Sequence, residues 1–255
     1  MGNLFNPDNK FFAFMGRVAD LTILNFLCIL CCLPIVTAGA SLTAMFYMTM
    51  KIVRNEDTYI VKGFFHSFKQ NLKQGIIIHL IMIVIGIFLA VDIAFTYQIR
   101  STGTLYTVLF YFFVVLAIVF FMVYIYIYPL LAKFYNPTKY IFRNALLMSI
   151  RHFPYTTMMA ALTIAPVLVM IALPVALYWG SLFFAICGFA AIAYLNSLLL
   201  VKIFDNYIPK EESEATESNE IASQEIETSI FKNLQPTNNI EETSVTSIKS
   251  TEGDE

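Results

Sequence analysis

Four stretches of this chain contain no Asp, Glu, Lys or Arg: residues 21–50, 74–91, 101–132 and 153–201. About 20 apolar residues carry one helix across the hydrocarbon layer of a bilayer. Backbone polar groups in lipid must be satisfied within the spanning structure, so uninterrupted apolar runs of this length read as helices. The pattern predicts an all-α fold: a polytopic transmembrane helical bundle. The first helix is expected from Phe11 to Cys32, with Arg17 and Asp20 three residues apart and so able to pair on one face. Pro34 and Gly39 then interrupt the run, the first by removing a backbone donor, the second by permitting a chain reversal.

A second helix follows over Ala40–Arg54. Its apolar part is short, rising about 24 Å at 1.5 Å per residue. It crosses a thinned bilayer, giving six spans, or stops partway, giving five; six is the favoured count. Residues 58–74 alternate Ile60, Phe64, Phe68 and Leu72 with Lys62, Lys69 and Lys73. That spacing predicts an in-plane amphipathic helix suited to a headgroup layer rich in anionic lipid. Further spans are expected over Gly75–Tyr97 and Leu105–Ala132. Residues 153–201 are too long for one crossing, and Tyr178-Trp179-Gly180-Ser181 is the expected turn, with its aromatics at an interface. Between them, residues 133–152 predict a second interfacial helix carrying Lys139, Arg143 and Arg151.

Composition agrees with the pattern: 58% hydrophobic and 13% charged residues, against about 25% charged in a soluble domain. The net charge of −2 conceals two unlike parts. Residues 1–208 hold 13 basic and 6 acidic residues, whereas residues 209–255 hold 3 basic and 12 acidic ones. The first part is the membrane domain. The second is expected to be a disordered acidic tail, too polar to bury a core. Basic residues cluster at 51–73 and 133–151, which the positive-inside rule places in the cytoplasm, together with the tail. Lys10 and Arg17 ahead of an apolar run that ends in Ala38-Gly39-Ala40 also fit a signal peptide. The 40-residue length and the acids Asp8 and Asp20 favour an uncleaved first helix.

Little catalytic chemistry is visible. Cys28, Cys31, Cys32 and Cys187 all lie in apolar runs, where free cysteine packs as a small hydrophobe. No metal, cofactor or nucleic-acid site is expected, and no phosphate loop or nucleophile elbow is present. Asp92 is the one acid inside an expected span. A centred carboxylate costs about 2.5–3.5 kcal/mol on insertion scales, so it faces a partner, a cavity or the interface, where Arg100 is the nearest cation in sequence. Asn25 and Asn196 are intramembrane amides expected to hydrogen-bond between helices.

Asn6-Pro7-Asp8, Val18-Ala19-Asp20 leading to Asn25, the run from Cys32-Leu33-Pro34 through Thr37 to Gly39-Ala40, and Phe64-Phe65 with Phe68-Lys69 and Asn71 form a recognisable series. Asn144-Ala145-Leu146 with Ser149 and His152 completes it. On these residues the chain resembles the YesL-like family of small bacterial integral membrane proteins, a domain of unknown function, over about residues 1–208. The resemblance implies a bacterial plasma membrane and an accessory role in carbohydrate use, with an ABC sugar permease or a sensor kinase as partner. It carries over no catalytic residues. Two functions are therefore expected. The first is a non-enzymatic accessory of carbohydrate uptake or its sensing. The alternative is a small solute transporter or channel using the Pro34–Gly39 break and Asp92. Candidate functional residues are Arg17, Asp20, Asn25, Pro34, Thr37, Gly39 and Asp92. The oligomeric state stays open.

Overall fold

A computed structural model describes residues 10–56 and 59–207. The Asn6-Pro7-Asp8 lead and the acidic tail lie outside the described residues. Among those described, all regular structure is helical: α1 (Lys10–Cys32), α2 (Ala38–Val53), α3 (Ile60–Ile99), α4 (Thr104–Lys133), α5 (Thr138–Arg151), α6 (Phe153–Ala172), α7 (Pro174–Phe183) and α8 (Phe189–Phe204). Short 3-10 turns at Ile35–Thr37 and Arg100–Thr102 link α1 to α2 and α3 to α4. Six helical segments are long and apolar enough to cross a membrane: Phe14–Cys32, Ile35–Val53, Ile60–Thr102, Thr104–Lys133, Phe153–Ala172 and Leu177–Phe204.

Two elements differ from expectation. Residues 60–74 are not a separate in-plane helix; they continue unbroken into the apolar segment as α3, 40 residues long and so about 60 Å. No proline interrupts the stretch, and its glycines at 63, 75 and 86 sit inside the helix as contact points. The turn within 153–201 is not at Tyr178–Ser181, which lies in α7. It is at Leu173, whose backbone is extended (φ −123°, ψ 114°) immediately before Pro174. A proline disfavours the helical region for the residue ahead of it and then serves well at a helix start. α7 folds back on α6 there, with Gly180 against Met170.

α2 is the central helix. Ten of its sixteen residues are buried, and contacts fix its direction on three sides. Gly39 lies on Gly75 and His79 of α3, while Met48 lies on Gly63, so α2 and α3 run antiparallel. A side chain at Gly75 would start 2.9 Å from the Ala40 backbone. Small residues at these positions let two helix backbones approach closely. Ser41 reaches back to Cys28 of α1, and Thr49 pairs with Ser197 of α8 (Oγ–Oγ 2.8 Å). α3 and α4 form a long antiparallel hairpin, with His79 beside Tyr128, Gly86 beside Phe120 and Tyr97 beside Phe110. The fully buried residues of α4 all fall in Ile125–Leu131, at the end nearest α2. Two apolar clusters fill this region, one around Tyr126, Tyr128, Met159 and Phe204, the other around Leu24, Met48 and Phe64.

Candidate functional site

A group of polar side chains gathers around the ends and faces of α2. The Pro34–Gly39 break is a tight, self-satisfied turn. Cys31 ends the first helix one residue before its terminus, and its carbonyl would be orphaned. Thr37 Oγ1 stands 2.7 Å from that carbonyl and 2.9 Å from the carbonyl of Pro34, and the Thr37 backbone N–H donates to Pro34 (2.9 Å). The hydroxyl thus closes the last turn of α1 and the amide closes the 3-10 turn that follows it. The tip itself turns Leu33, Ile35 and Val36 outward. Just inside it, Ser41 Oγ donates to the carbonyl of Cys28 (3.0 Å) and touches its Sγ (3.4 Å); Cys28 and Cys32 Sγ lie 3.9 Å apart. On the other side of α2, His79 Nδ1 and Tyr128 Oη are 2.7 Å apart.

Asn25 makes the most specific arrangement. The helix through α7 and α8 widens into a π turn at Phe184–Gly188. Such a turn leaves backbone groups without their ordinary i→i−4 partners. The fully buried Asn25 supplies them. Its Nδ2 donates to the carbonyls of Phe184 (3.1 Å) and Ala185 (2.9 Å), and its Oδ1 accepts from the Ala190 N–H (3.1 Å). Both amide protons and the carbonyl oxygen are used. Asn25 is therefore an interhelical fastener, as expected of a membrane amide, with a π turn as its partner. Asn196 does the same more simply, donating to Thr163 Oγ1 (3.1 Å), and Tyr126 Oη pairs with Thr156 (3.0 Å).

The remaining candidates fall in different places. Arg17 does not meet Asp20. Its Nη2 donates to Asn55 Oδ1, and Asn55 is the left-handed residue (φ 56°) that stops α2. The Asn55 N–H bonds Ile52 and the Glu56 N–H bonds Lys51, both at 3.1 Å, a helix stop that leaves the Asn55 side chain free to accept. Asp20 lies one turn further along α1, half-buried. Asp92 is far from the break. It stands 13 residues beyond His79 on α3, about 20 Å away along the helix. Nor does it pair with Arg100, whose guanidinium rests on the rings of Tyr97 (4.2 Å) and Phe110 (5.9 Å). Asp92 Oδ2 is buried and has no hydrogen-bond partner among the described residues. The structure thus gathers Asn25, Pro34, Thr37 and Gly39 around α1 and α2, sets Arg17 at the opposite end of α2, and leaves Asp92 apart. Gly75, Ser41 and Tyr128 complete the α2 surroundings. Of these, Gly75 alone carries a local signal in the sequence, a residue without a side chain inside a long apolar helix.

Residues 21–93 match the family described as protein of unknown function, DUF624. No curated protein and no solved structure matches the chain. The DUF624 segment begins in α1 and ends in α3, so it encloses Asn25, the Pro34–Gly39 turn, all of α2 and its crossing with Gly75 and His79. It accords with the YesL-like resemblance carried by the Cys32–Ala40 run. The DUF624 segment therefore contains the central helix α2 and its contacts with α1 and α3, whereas α4 to α8, which supply Tyr128, Ser197 and the π turn packed around them, lie outside it.

Proposed function

We propose that this integral membrane protein is a non-enzymatic accessory of carbohydrate uptake or its sensing in a bacterial plasma membrane. In this reading its basic end and acidic tail face the cytoplasm and dock an ABC sugar permease or a sensor kinase. The observation that supports the reading is how the polar groups around α2 are used. Asn25, Thr37, Ser41 and Thr49 each bond another helix or a local carbonyl. Polarity spent on holding helices together fits a docking scaffold better than a reaction centre. The carbohydrate link rests on the YesL-like resemblance alone. Cross-linking in native membranes, followed by mass spectrometry, tests the proposal. Capture of a sugar permease or sensor, weakened by high salt, is expected; capture of no such partner while known complexes survive would contradict it.

One observation favours a second reading, a small solute transporter: Asp92 Oδ2 is buried without a partner. Buried carboxylates in membranes mark ion or substrate paths. The distance between Asp92 and the Pro34–Gly39 turn counts against the two acting as one site. Solute flux in proteoliposomes that disappears in Asp92→Asn would favour transport; flux unchanged by the substitution would remove Asp92 from any mechanism.

A further inference from the structure

The end of the bundle opposite Arg100 carries a second arrangement. Gln74 Nε2 of α3 donates to the carbonyl of Asn136 (2.7 Å), in the loop between α4 and α5. That bond sets the turn of α3 that bears Lys73 beside the loop leading into α5. Lys73 precedes Gln74, and Lys139 follows Asn136 by three residues. Arg143 lies one helical turn beyond Lys139 on the same side of α5, its guanidinium 5.3 Å from the Tyr140 ring. All three cations are exposed.

α5 shows which way this surface faces. It buries Ile141, Ala145, Met148 and Ser149 against the bundle. Its outer side presents Lys139 and Arg143 together with Tyr140, Leu147 and Ile150, the last two 56% and 61% exposed. Water does not suit that mixture, and neither does hydrocarbon. Between residues 59 and 204 the only acid is Asp92, about 28 Å along α3 from Lys73. No carboxylate on these elements neutralises the corner.

We propose that Lys73, Lys139 and Arg143 form a binding site for the phosphate headgroup of an anionic membrane phospholipid. Charge complementarity selects the phosphodiester. The flanking Leu147 and Ile150 select a ligand that brings acyl chains with it, which a free anion or a soluble acidic segment does not. Lysine and arginine stems reach the headgroup while their apolar neighbours sit at the acyl boundary.

Native mass spectrometry of the full-length protein in detergent, titrated with phosphatidylglycerol or phosphatidylcholine, tests this. The wild type is expected to retain phosphatidylglycerol in preference to phosphatidylcholine. Each cation removed should weaken retention about fivefold, and the triple change Lys73→Gln, Lys139→Gln, Arg143→Gln on the order of a hundredfold. Arg100→Gln, at the other end, should leave retention unchanged. If the triple variant does not fold, Lys139→Gln alone carries the fivefold test. Equal binding of the two lipids, wild-type retention in the substituted proteins, or displacement of the lipid by millimolar inorganic phosphate would each overturn the proposal.

Discussion

α2 and the far half of the α3–α4 hairpin are both apolar helices, and the fold uses them in opposite ways. α2 is wrapped by α1, α3, α4 and α8 and leaves little surface free. The far half, residues 80–99 of α3 and 104–122 of α4, packs chiefly on itself. Val84, Phe88, Val91, Val108, Phe112 and Val115 are all more than half exposed, which is the surface a lipid solvent requires. The residue types explain the difference. α2 mixes Gly39, Ala40, Ser41, Thr43, Ala44 and Thr49 with methionines, giving close approach and local hydroxyl bonding. The far half, Asp92 apart, turns large aliphatic and aromatic residues outward, which lipid tails solvate without penalty. α2 with its leading turn, Ile35–Val53, is long enough to cross a membrane, yet its neighbours are protein, residues 63–79 of α3 among them, rather than lipid.

The contrast can be broken most severely at the α2–α3 crossing. Gly75→Leu should cost about 3 kcal/mol or more, because the new side chain meets the Ala40 backbone, which cannot move aside cheaply. The expected outcome is loss of a single monodisperse species on size-exclusion chromatography. Asn25→Leu should come next, at about 2–4 kcal/mol, since two carbonyls and one amide at the π turn lose their partner in an apolar setting. Its melting temperature should fall well below that of Asn25→Gln, which keeps the chemistry. Ser197→Ala should cost about 1 kcal/mol, the usual worth of one interhelical hydroxyl bond. Val115→Leu on the far half should change stability by less than about 0.5 kcal/mol, as lipid-facing apolar exchanges do. A melting series that placed Val115→Leu beside Asn25→Leu would erase the distinction between the regions.

Much of the bundle was legible in the chain, for a physical reason. Length and lack of charge alone decide whether a helix can cross a membrane, so the apolar runs located the candidate spans without tertiary information. What the pattern missed depended on partners distant in sequence or on a weaker local signal. Arg17 and Asp20 share a face, but Asn55, 38 residues away, offers Arg17 a better acceptor at the stop of α2. Asn25 was recognisable as a helix fastener; that it would hold a π turn 159 residues later was not. The turn assigned to Tyr178–Ser181 followed the aromatics and passed over Pro174, the stronger breaker. Residues 58–74 have an amphipathic face, but nothing there ends a helix, so α3 continues.

The most direct test of a protein-enclosed α2 is disulfide cross-linking in native membranes, with the four natural cysteines replaced by alanine. Met48→Cys paired with Gly63→Cys should cross-link rapidly, because these positions touch across the α2–α3 contact. Met48→Cys paired with Val91→Cys should not cross-link, because residue 91 lies about 42 Å further along α3. Cross-linking of the second pair, with none of the first, would place α2 beside the far half of the hairpin and contradict the account.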